Sequence, residues 1–160
     1  MNAYLISPVV DGPVALLIAS DGSRTNAMTV RFFSEVAHHP ASLWVSVALA
    51  SYTHELIEKS GEFTLATLHD GQAALALECG SASGRERDKS LGDRLYKNAN
   101  GHLLLHDAIS STACRVRRRI PQGDYTLFIA DILEGNFDSR HFVLRRHLLV
   151  SDLVSNASRC

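Results

Sequence analysis

Short apolar runs separated by turn-forming residues make up most of this sequence. The run Val14–Ser20 ends at Asp21-Gly22, a pair typical of a tight turn after a buried strand. A second predicted strand, Asn26–Phe33, follows at the distance expected for a hairpin. In Leu43–Leu49, Leu and Val alternate with Trp, Ser and Ala, so one face is apolar and the other carries mostly small side chains. Those small side chains leave room for a flat ligand above the sheet.

Two segments have the pattern of short helices. Thr53–Ser60 brings Leu56 and Ile57 together and is followed by Gly61, the residue expected at a helix C-terminal cap. Gln72–Cys79, with the sequence QAALALEC, is rich in alanine and leucine and predicts a second helix.

The rest of the chain is predicted to contain further strands and one long irregular stretch, Gly80–Asn100. These strands are predicted at Glu62–Leu68, Ser111–Ile120, Asp124–Leu133 and Phe142–Leu149. The second and third of them form a hairpin around Pro121-Gln122-Gly123. Many short strands at close spacing favour a barrel or a sandwich with two or three helices. No repeat or linker divides the sequence, so residues 1–160 are expected to form a single domain.

Composition and charge exclude several classes of protein. The formal net charge of -1 argues against a nucleic-acid binder, so any anion site must be local. Cys79, Cys114 and Cys160 are widely spaced, which argues against a disulfide framework and a structural zinc site. The N-terminal segment lacks the features of a signal peptide, and no run reaches the roughly 18 apolar residues of a membrane span. A cytoplasmic location without membrane contact is expected.

Three hydroxyl side chains are candidates for binding an anion or a ring. Ser51 and Thr53 lie between a predicted strand and a predicted helix, where hydroxyls and free amides converge on a phosphate. The spacing fits equally an ordinary N-cap at Thr53, which is the more common role of such a residue. Thr29 lies on an otherwise apolar strand, where its hydroxyl can bond a ligand, but threonine is also a common strand residue.

A charged loop supplies the candidate cations Arg85, Arg87 and Lys89. These side chains suit a phosphate or the electron-rich edge of a ring-shaped ligand. The intervening Glu86 and Asp88 favour the alternative of a solvated loop with mixed charge.

Other patterns of polar residues do not form a recognisable site. Adjacent His38 and His39 point apart on a strand, and neither they nor His102 and His106 have the spacing of a zinc signature, so no metal is expected. No nucleophile elbow and no glycine-rich phosphate loop is present. A basic stripe, more consistent with an exposed or interface-lining face than with a nucleic-acid track, consists of Arg115, Arg117 and Arg119.

An ordered set of motifs resembles the flavin reductase-like family, the FMN-binding split β-barrels. The motifs are PVALLI from Pro13, NAMT from Asn26, HHPASLWVSV ending at Val47, THELI from Thr53, GEFTL from Gly61, SGRERDK from Ser83, GDYTLFIADIL from Gly123 and a closing-strand pattern LRRHLLVSDL from Leu144. One such motif alone is weak, but the ordered set is specific and covers most of the chain.

This resemblance implies a mainly β fold, an FMN-binding split β-barrel of Greek-key type with a few short helices. It also implies bound FMN, a homodimer, and hydride transfer from NADH or NADPH to the flavin N5 atom. The reduced flavin is then passed to an acceptor, such as a partner oxygenase or an electron-transfer protein. The cofactor carries the chemistry, so no catalytic residue of the chain is expected.

The resemblance also implies which residues contact FMN. In the family the phosphate and ribityl chain are held near the positions of Thr29 and Ser51–Thr53, the ring lies near the strand ending at Ala48, and a loop corresponding to Ser83–Lys89 closes on the flavin. The implied FMN contacts are Thr29, Val30, Arg31, Ser46, Val47, Ala48, Ser51, Thr53, Ser83, Gly84 and Lys89.

Two positions depart from the family pattern. Tyr125 stands where histidine is common, which weakens the case for NADH or NADPH as the electron donor. Arg31 stands where a small hydroxylated residue is common and changes the charge beside the flavin. One alternative is therefore an FMN-binding electron-transfer protein without a nicotinamide site. Another is a barrel that has lost FMN or binds a different ligand such as haem.

Overall fold

The computed structural model describes residues 11–146 and Leu148 and is mainly β, as predicted. The described part contains nine strands, two α-helices, and short 3-10 turns at Asp70–Gln72 and Gly92–Arg94. The elements are β1 Ala15–Ser20, β2 Thr25–Val30, β3 Phe33–His38, β4 Ala41–Ala48, α1 Tyr52–Ser60, β5 Glu62–Thr67, α2 Ala73–Gly80, β6 Leu95–Lys97, β7 Leu103–Leu105, β8 Ser110–Gln122 and β9 Tyr125–Phe137. Neither of these helices is long and apolar enough to span a bilayer.

Seven strands form one antiparallel sheet in the order β2-β1-β5-β8-β9-β4-β3, and β6 pairs with β7 separately. The long strands β8 and β9 form the predicted hairpin, but its turn has two residues instead of three and begins two residues later than expected. Gln122 pairs with Tyr125, so the two turn residues are Gly123 and Asp124. Gly123 has φ of 61°, a left-handed conformation that glycine adopts without steric cost.

Both faces of β1 are buried, which explains the continuous apolar run there. Leu17 lies in one core cluster, to which α1 contributes Leu56 and Ile57. Leu16 lies in a second cluster with Ala76 of α2. β1, which lies next to the edge strand β2, therefore contacts the cores of both helices from opposite sides of the sheet.

Two buried cysteines complete these clusters. Cys79 is 1% exposed in the second cluster, and Cys114 is 1% exposed in the first. Burial raises the pKa of the Cys79 thiol to about 11 and that of Cys114 to about 12. Both side chains therefore remain neutral thiols at physiological pH. Cys160 lies outside the described residues.

The prediction of one strand over Asn26–Phe33 is wrong in its second half. The strand ends at Val30, and a separate edge strand, β3, begins at Phe33. Nearly all of β3 is exposed, including Val36 at 50%. Because neither of its faces is buried, β3 lacks the apolar alternation by which a strand is predicted.

The predicted final strand, Phe142–Leu149, is also wrong over its described part. Val143 and Arg145 make single β-bridges, to His69 and Pro13 respectively, without forming a continuous ladder. The backbone turns helical at Arg146, and Leu149 lies outside the described residues. The pattern was misleading because Leu144 is fully buried, as a strand residue would be, although isolated bridges hold this segment.

Candidate functional site

The start of α1 is built as predicted, but with a different cap. Ser51 is the N-cap, and its hydroxyl accepts a hydrogen bond from the His54 backbone N–H at 3.1 Å. The alternative that Thr53 is the cap is wrong, because Thr53 lies inside the first turn. At the other end Gly61 takes the expected left-handed conformation, and its N–H donates to the Ile57 carbonyl at 2.8 Å.

A buried polar contact connects β2, α1 and the loop of residues 83–89. The Asn26 side-chain amide donates to the Thr53 hydroxyl oxygen at 2.8 Å, and both residues are almost completely buried. The other side of the Asn26 amide lies against Gly84, where an added Cβ would come within 1.9 Å of Oδ1. Only glycine fits at position 84 without moving the loop. Asn26 thus fixes the relative positions of three chain segments.

Lys89 holds the far end of this loop in place. Its backbone carbonyl accepts from the Ala27 N–H at 3.1 Å, so the loop runs beside β2. Its ammonium is buried and donates to the carbonyls of Cys79 and Ala82 at 2.8 and 2.6 Å. Burial lowers the pKa of Lys89, while the C-terminal end of α2 favours the positive charge. The side chain therefore fastens the loop to α2.

A cleft of about 390 Å³ opens between this loop, the turn before β2 and the start of α1. Arg85 spans it, donating to the Ala50 carbonyl at 3.1 Å and to Glu55 at 2.9 Å. The Arg85 guanidinium also lies 5.2 Å from the centre of the Tyr52 ring. Arg85 is thus held in place at the cleft, although its side chain remains 48% exposed, so the alternative of a solvated loop stays open.

The cleft is cationic in a protein whose formal net charge is -1. A side-chain hydrogen bond with Tyr52 raises the pKa of Arg24, so this guanidinium stays charged. Beside the cleft, Lys59 and then Arg85 lower the pKa of Glu55. Three arginines and two carboxylates line the cleft, namely Arg24, Arg85 and Arg87 with Glu86 and Asp88, while the buried Lys89 ammonium is bonded to carbonyls at the end of α2. An anionic ligand is therefore favoured at this position.

The predicted contacts on the sheet form a second group beside the first. Ala48 pairs with Tyr125, and its carbonyl accepts from the Ser51 N–H at 3.0 Å, which joins β4 to the start of α1. The Ser46 N–H donates to the Phe32 carbonyl at 2.9 Å, so the β2–β3 connection lies beside β4. Val47 is fully buried and contributes to the core.

The end of β2 uses its side chains within the protein. The Thr29 hydroxyl donates to the Ala76 carbonyl of α2, and Val30 is 5% exposed in the core. Arg31 places its guanidinium 4.4 Å from the centre of the Phe32 ring. Thr29 and Val30 thus support the sheet from within.

The structure brings Ser51, Thr53, Gly84 and Lys89 to one region through contacts around the start of β2. Ser83 opens the adjacent loop, where its hydroxyl accepts from the Arg85 N–H at 3.2 Å. The set of implied contacts omitted four residues that line or support this region. They are Arg24, Asn26, Tyr52 and Arg85. Asn26 lies in the NAMT motif and Arg85 in SGRERDK, so these motifs contained the signal.

Replacing Thr53 by valine is expected to lower the free energy of unfolding by about 1–3 kcal/mol. The variant Thr53→Val keeps the shape of the side chain but leaves the buried Asn26 amide without its acceptor. Urea unfolding measures the change, and Thr53→Ser, which keeps the hydroxyl, is the matched control. Equal stability of the valine variant and the unaltered protein would show that this hydrogen bond contributes nothing.

Comparison with known proteins identifies the family. The family model described as "Flavin reductase like domain" matches residues 9–148. The NADH-dependent FMN reductase AsuE2 of Streptomyces nodosus subsp. asukaensis is 32% identical over 123 residues, covering 76% of this chain and 66% of that protein. The reductase component of an FADH(2)-dependent resorcinol hydroxylase from a Rhizobium species is 29% identical, covering 74% of this chain and 65% of that protein.

A solved structure agrees in fold. An FMN-binding protein from Thermus thermophilus superposes with a TM-score of 0.78 at 22% identity, covering 84% of this chain and 75% of that one. The matched region spans about two thirds of the length of the two curated relatives. Because the family model covers most of the sequence, the chain belongs to the flavin reductase-like domain family.

Proposed function

We propose that this protein is an NADH- or NADPH-dependent flavin reductase that binds FMN. The observation that carries the proposal is the cationic cleft at the start of α1, in a chain that matches the flavin reductase family over residues 9–148. Similarity to an NADH-dependent FMN reductase supports FMN as the flavin and NADH as a donor.

The residues of the cleft fit a flavin mononucleotide. Its volume of about 390 Å³ is within the usual range for small-molecule sites, roughly 300–1,000 Å³. Arg85 can exchange its exposed ion pair with Glu55 for a phosphate, because such a pair contributes little stability. Tyr52, at the start of α1, lines the cleft, and the free backbone N–H groups of a helix N-terminus favour an anion.

When bound, the flavin supplies the acceptor for a hydride from the nicotinamide. The chain's own residues bind and orient it. Arg85 and the helix start fix the phosphate, while β4, with Ser46 and Ala48 on its less buried face, borders the position of the ring. Each charge-assisted hydrogen bond to the phosphate contributes roughly 1.5–3 kcal/mol. Three or four of them are sufficient for a micromolar dissociation constant, which corresponds to a binding free energy of about 8 kcal/mol.

We extend the proposal to the assembly and the architecture. The single domain over residues 1–160 takes the split-barrel form of its family. The protein acts as a homodimer, supported by large apolar side chains exposed before, on and after the edge hairpin of β3 and β4, namely Phe32, Val36 and Leu49. An oxygenase is proposed to receive the reduced flavin, because one similar protein is the reductase component of a hydroxylase.

Anaerobic reduction tests this function. The purified protein is expected to take up one FMN per chain, with visible flavin absorbance, and this absorbance bleaches on addition of NADH or NADPH. The Arg85→Ala variant is expected to bind FMN about tenfold more weakly, because it lacks one charged contact of roughly 1.4 kcal/mol or more. Exposed Arg118, on β8, provides the control Arg118→Ala. Colourless protein that takes up no added FMN would contradict the proposal.

A second candidate function is an FMN-binding electron-transfer protein, and the observation in its favour is the position of Tyr125. Its ring lies edge-on to Phe32, with 6.3 Å between ring centres, next to the end of β4. Tyr125 has no imidazole to offer a nicotinamide at this position. Bound flavin that stays oxidised with both nicotinamides, but is reduced by dithionite, would establish this second function instead.

A further inference from the structure

Two histidines and an aspartate meet on the side of the protein formed by the end of β5 and the segment after β9. His69 and Asp70 follow β5, and His141 lies in the later segment. Two backbone hydrogen bonds form the bridge between His69 and Val143 and hold these segments together: the Asp70 N–H donates to the Phe142 carbonyl at 2.9 Å, and the Leu144 N–H donates to the Leu68 carbonyl at 2.8 Å. The proximity of the three side chains therefore rests on the backbone as well as on side-chain packing.

The potential ligand atoms of this cluster lie close together. One nitrogen or oxygen from each of the three residues lies within 4.8 Å of the others. His69 Nδ1 and Asp70 Oδ1 both accept from the same Gly71 N–H, each at 3.0 Å, so two lone pairs converge on one point. The His141 ring stacks on His69 with 4.5 Å between ring centres.

Two imidazoles and one carboxylate are a ligand set that suits a divalent transition metal. Zinc in particular is bound by three such protein groups with water in the fourth position. Calcium and magnesium prefer oxygen-only sites, so this set does not suit them. Arg140, which precedes His141 in sequence, is paired with Asp138 and so contributes little net repulsion.

Metal binding requires a small rearrangement. Two ligands of a tetrahedral zinc lie roughly 3.3 Å apart, since each bond is about 2.0–2.1 Å. His141 is exposed and can turn out of its stack to close this gap. His69 Nδ1 now accepts a hydrogen bond from the Gly71 N–H, so a metal bound at Nδ1 takes the place of that N–H. Asp70 has a second carboxylate oxygen that can bind the ion.

We propose that His69, Asp70 and His141 form a binding site for a divalent transition metal of the zinc class. The ion adds a link between the end of β5 and the segment around Phe142–Arg145, beside the backbone hydrogen bonds and isolated bridges already present there. Metal binding therefore stabilises the folded chain and fastens this segment to the sheet. The site does not use the residues proposed to bind FMN.

Calorimetric titration of the FMN-loaded, chelator-treated protein with Zn²⁺ tests the proposal. All measurements use a Cys160→Ser background, so that the Cys160 thiol, which lies outside the described residues, cannot bind zinc. The other two cysteines, Cys79 and Cys114, are buried. We expect one zinc per chain and a higher melting temperature with zinc. His141→Ala and Asp70→Asn should weaken zinc binding at least about tenfold, because even the loss of a group that only orients a metal ligand costs about that much affinity. Asp70→Asn keeps an oxygen acceptor for Gly71.

The control variant is His38→Ala, an exposed histidine outside the cluster, which should bind zinc like the parent protein. Retained FMN in each variant shows that the fold is intact. Absence of zinc binding by the parent protein at millimolar metal would overturn the proposal. So would equal zinc affinity of the parent and His141→Ala proteins.

Discussion

The variant Gly84→Ala is expected to lose FMN affinity by about 10- to 100-fold and 1–3 kcal/mol of stability. The added methyl group would lie 1.9 Å from Asn26 Oδ1, which is buried and cannot retreat into solvent. The loop of residues 83–89 must then move away from β2, together with Arg85 and its contact to the start of α1. Fluorescence titration with FMN and urea unfolding measure the two effects.

A double-mutant cycle separates this steric effect from a general loss of stability. Asn26→Ala removes the atoms that the methyl group would meet, so the double variant should lose less than the sum of the two single changes. Gly12→Ala is the control, because a Cβ there meets nothing within 4 Å. Strict additivity, or normal FMN binding by Gly84→Ala, would show that the loop does not depend on this contact.

Replacing Lys89 by methionine is expected to destabilise the fold by about 2 kcal/mol and to weaken FMN binding. Two charge-assisted hydrogen bonds of roughly 1.5–3 kcal/mol each are lost, offset in part because the ammonium no longer has to be buried. The methionine keeps the packing of the aliphatic stem. The control Lys97→Met removes an exposed lysine and should change stability by less than about 0.5 kcal/mol.

The pH dependence of the same variant provides an independent check. Burial lowers the pKa of Lys89 below its usual 10.5, so between the lowered pKa and 10.5 the unfolded chain binds more protons than the folded one. The free energy of unfolding contributed by this group therefore rises with pH in that range. The stability difference between the parent and Lys89→Met should grow as pH increases toward 10.5. A difference independent of pH would contradict the burial of a charged Lys89.

The elements that were predicted correctly are those whose burial is visible in the local pattern. β1 is buried on both faces and reads as an unbroken apolar run, while β4 alternates because only one face is buried. α1 is marked by Gly61 at its end. β3 escaped prediction because its exposed residues follow no period, and its strand conformation depends on pairing with β4.

The sequence motifs predicted which segments form the candidate site, but not what each side chain does there. Ser51 and Thr53 carry the same chemical group two residues apart, and only the backbone geometry decides that Ser51 is the cap. Lys89 was expected to face a ligand, yet its ammonium is held by two carbonyls. Asn26 became visible only when the fold brought β2 against Gly84, a contact between residues far apart in sequence.

The burial of two cysteines has a consequence for their oxidation under the proposed flavin chemistry. Free reduced flavin reacts with oxygen to give peroxide, which oxidises thiolates rather than thiols. Cys79 and Cys114 are shielded from solvent, and their raised pKa keeps them protonated. Under the proposed flavin reductase activity, these two sulfurs would therefore stay in a form that resists oxidation by peroxide.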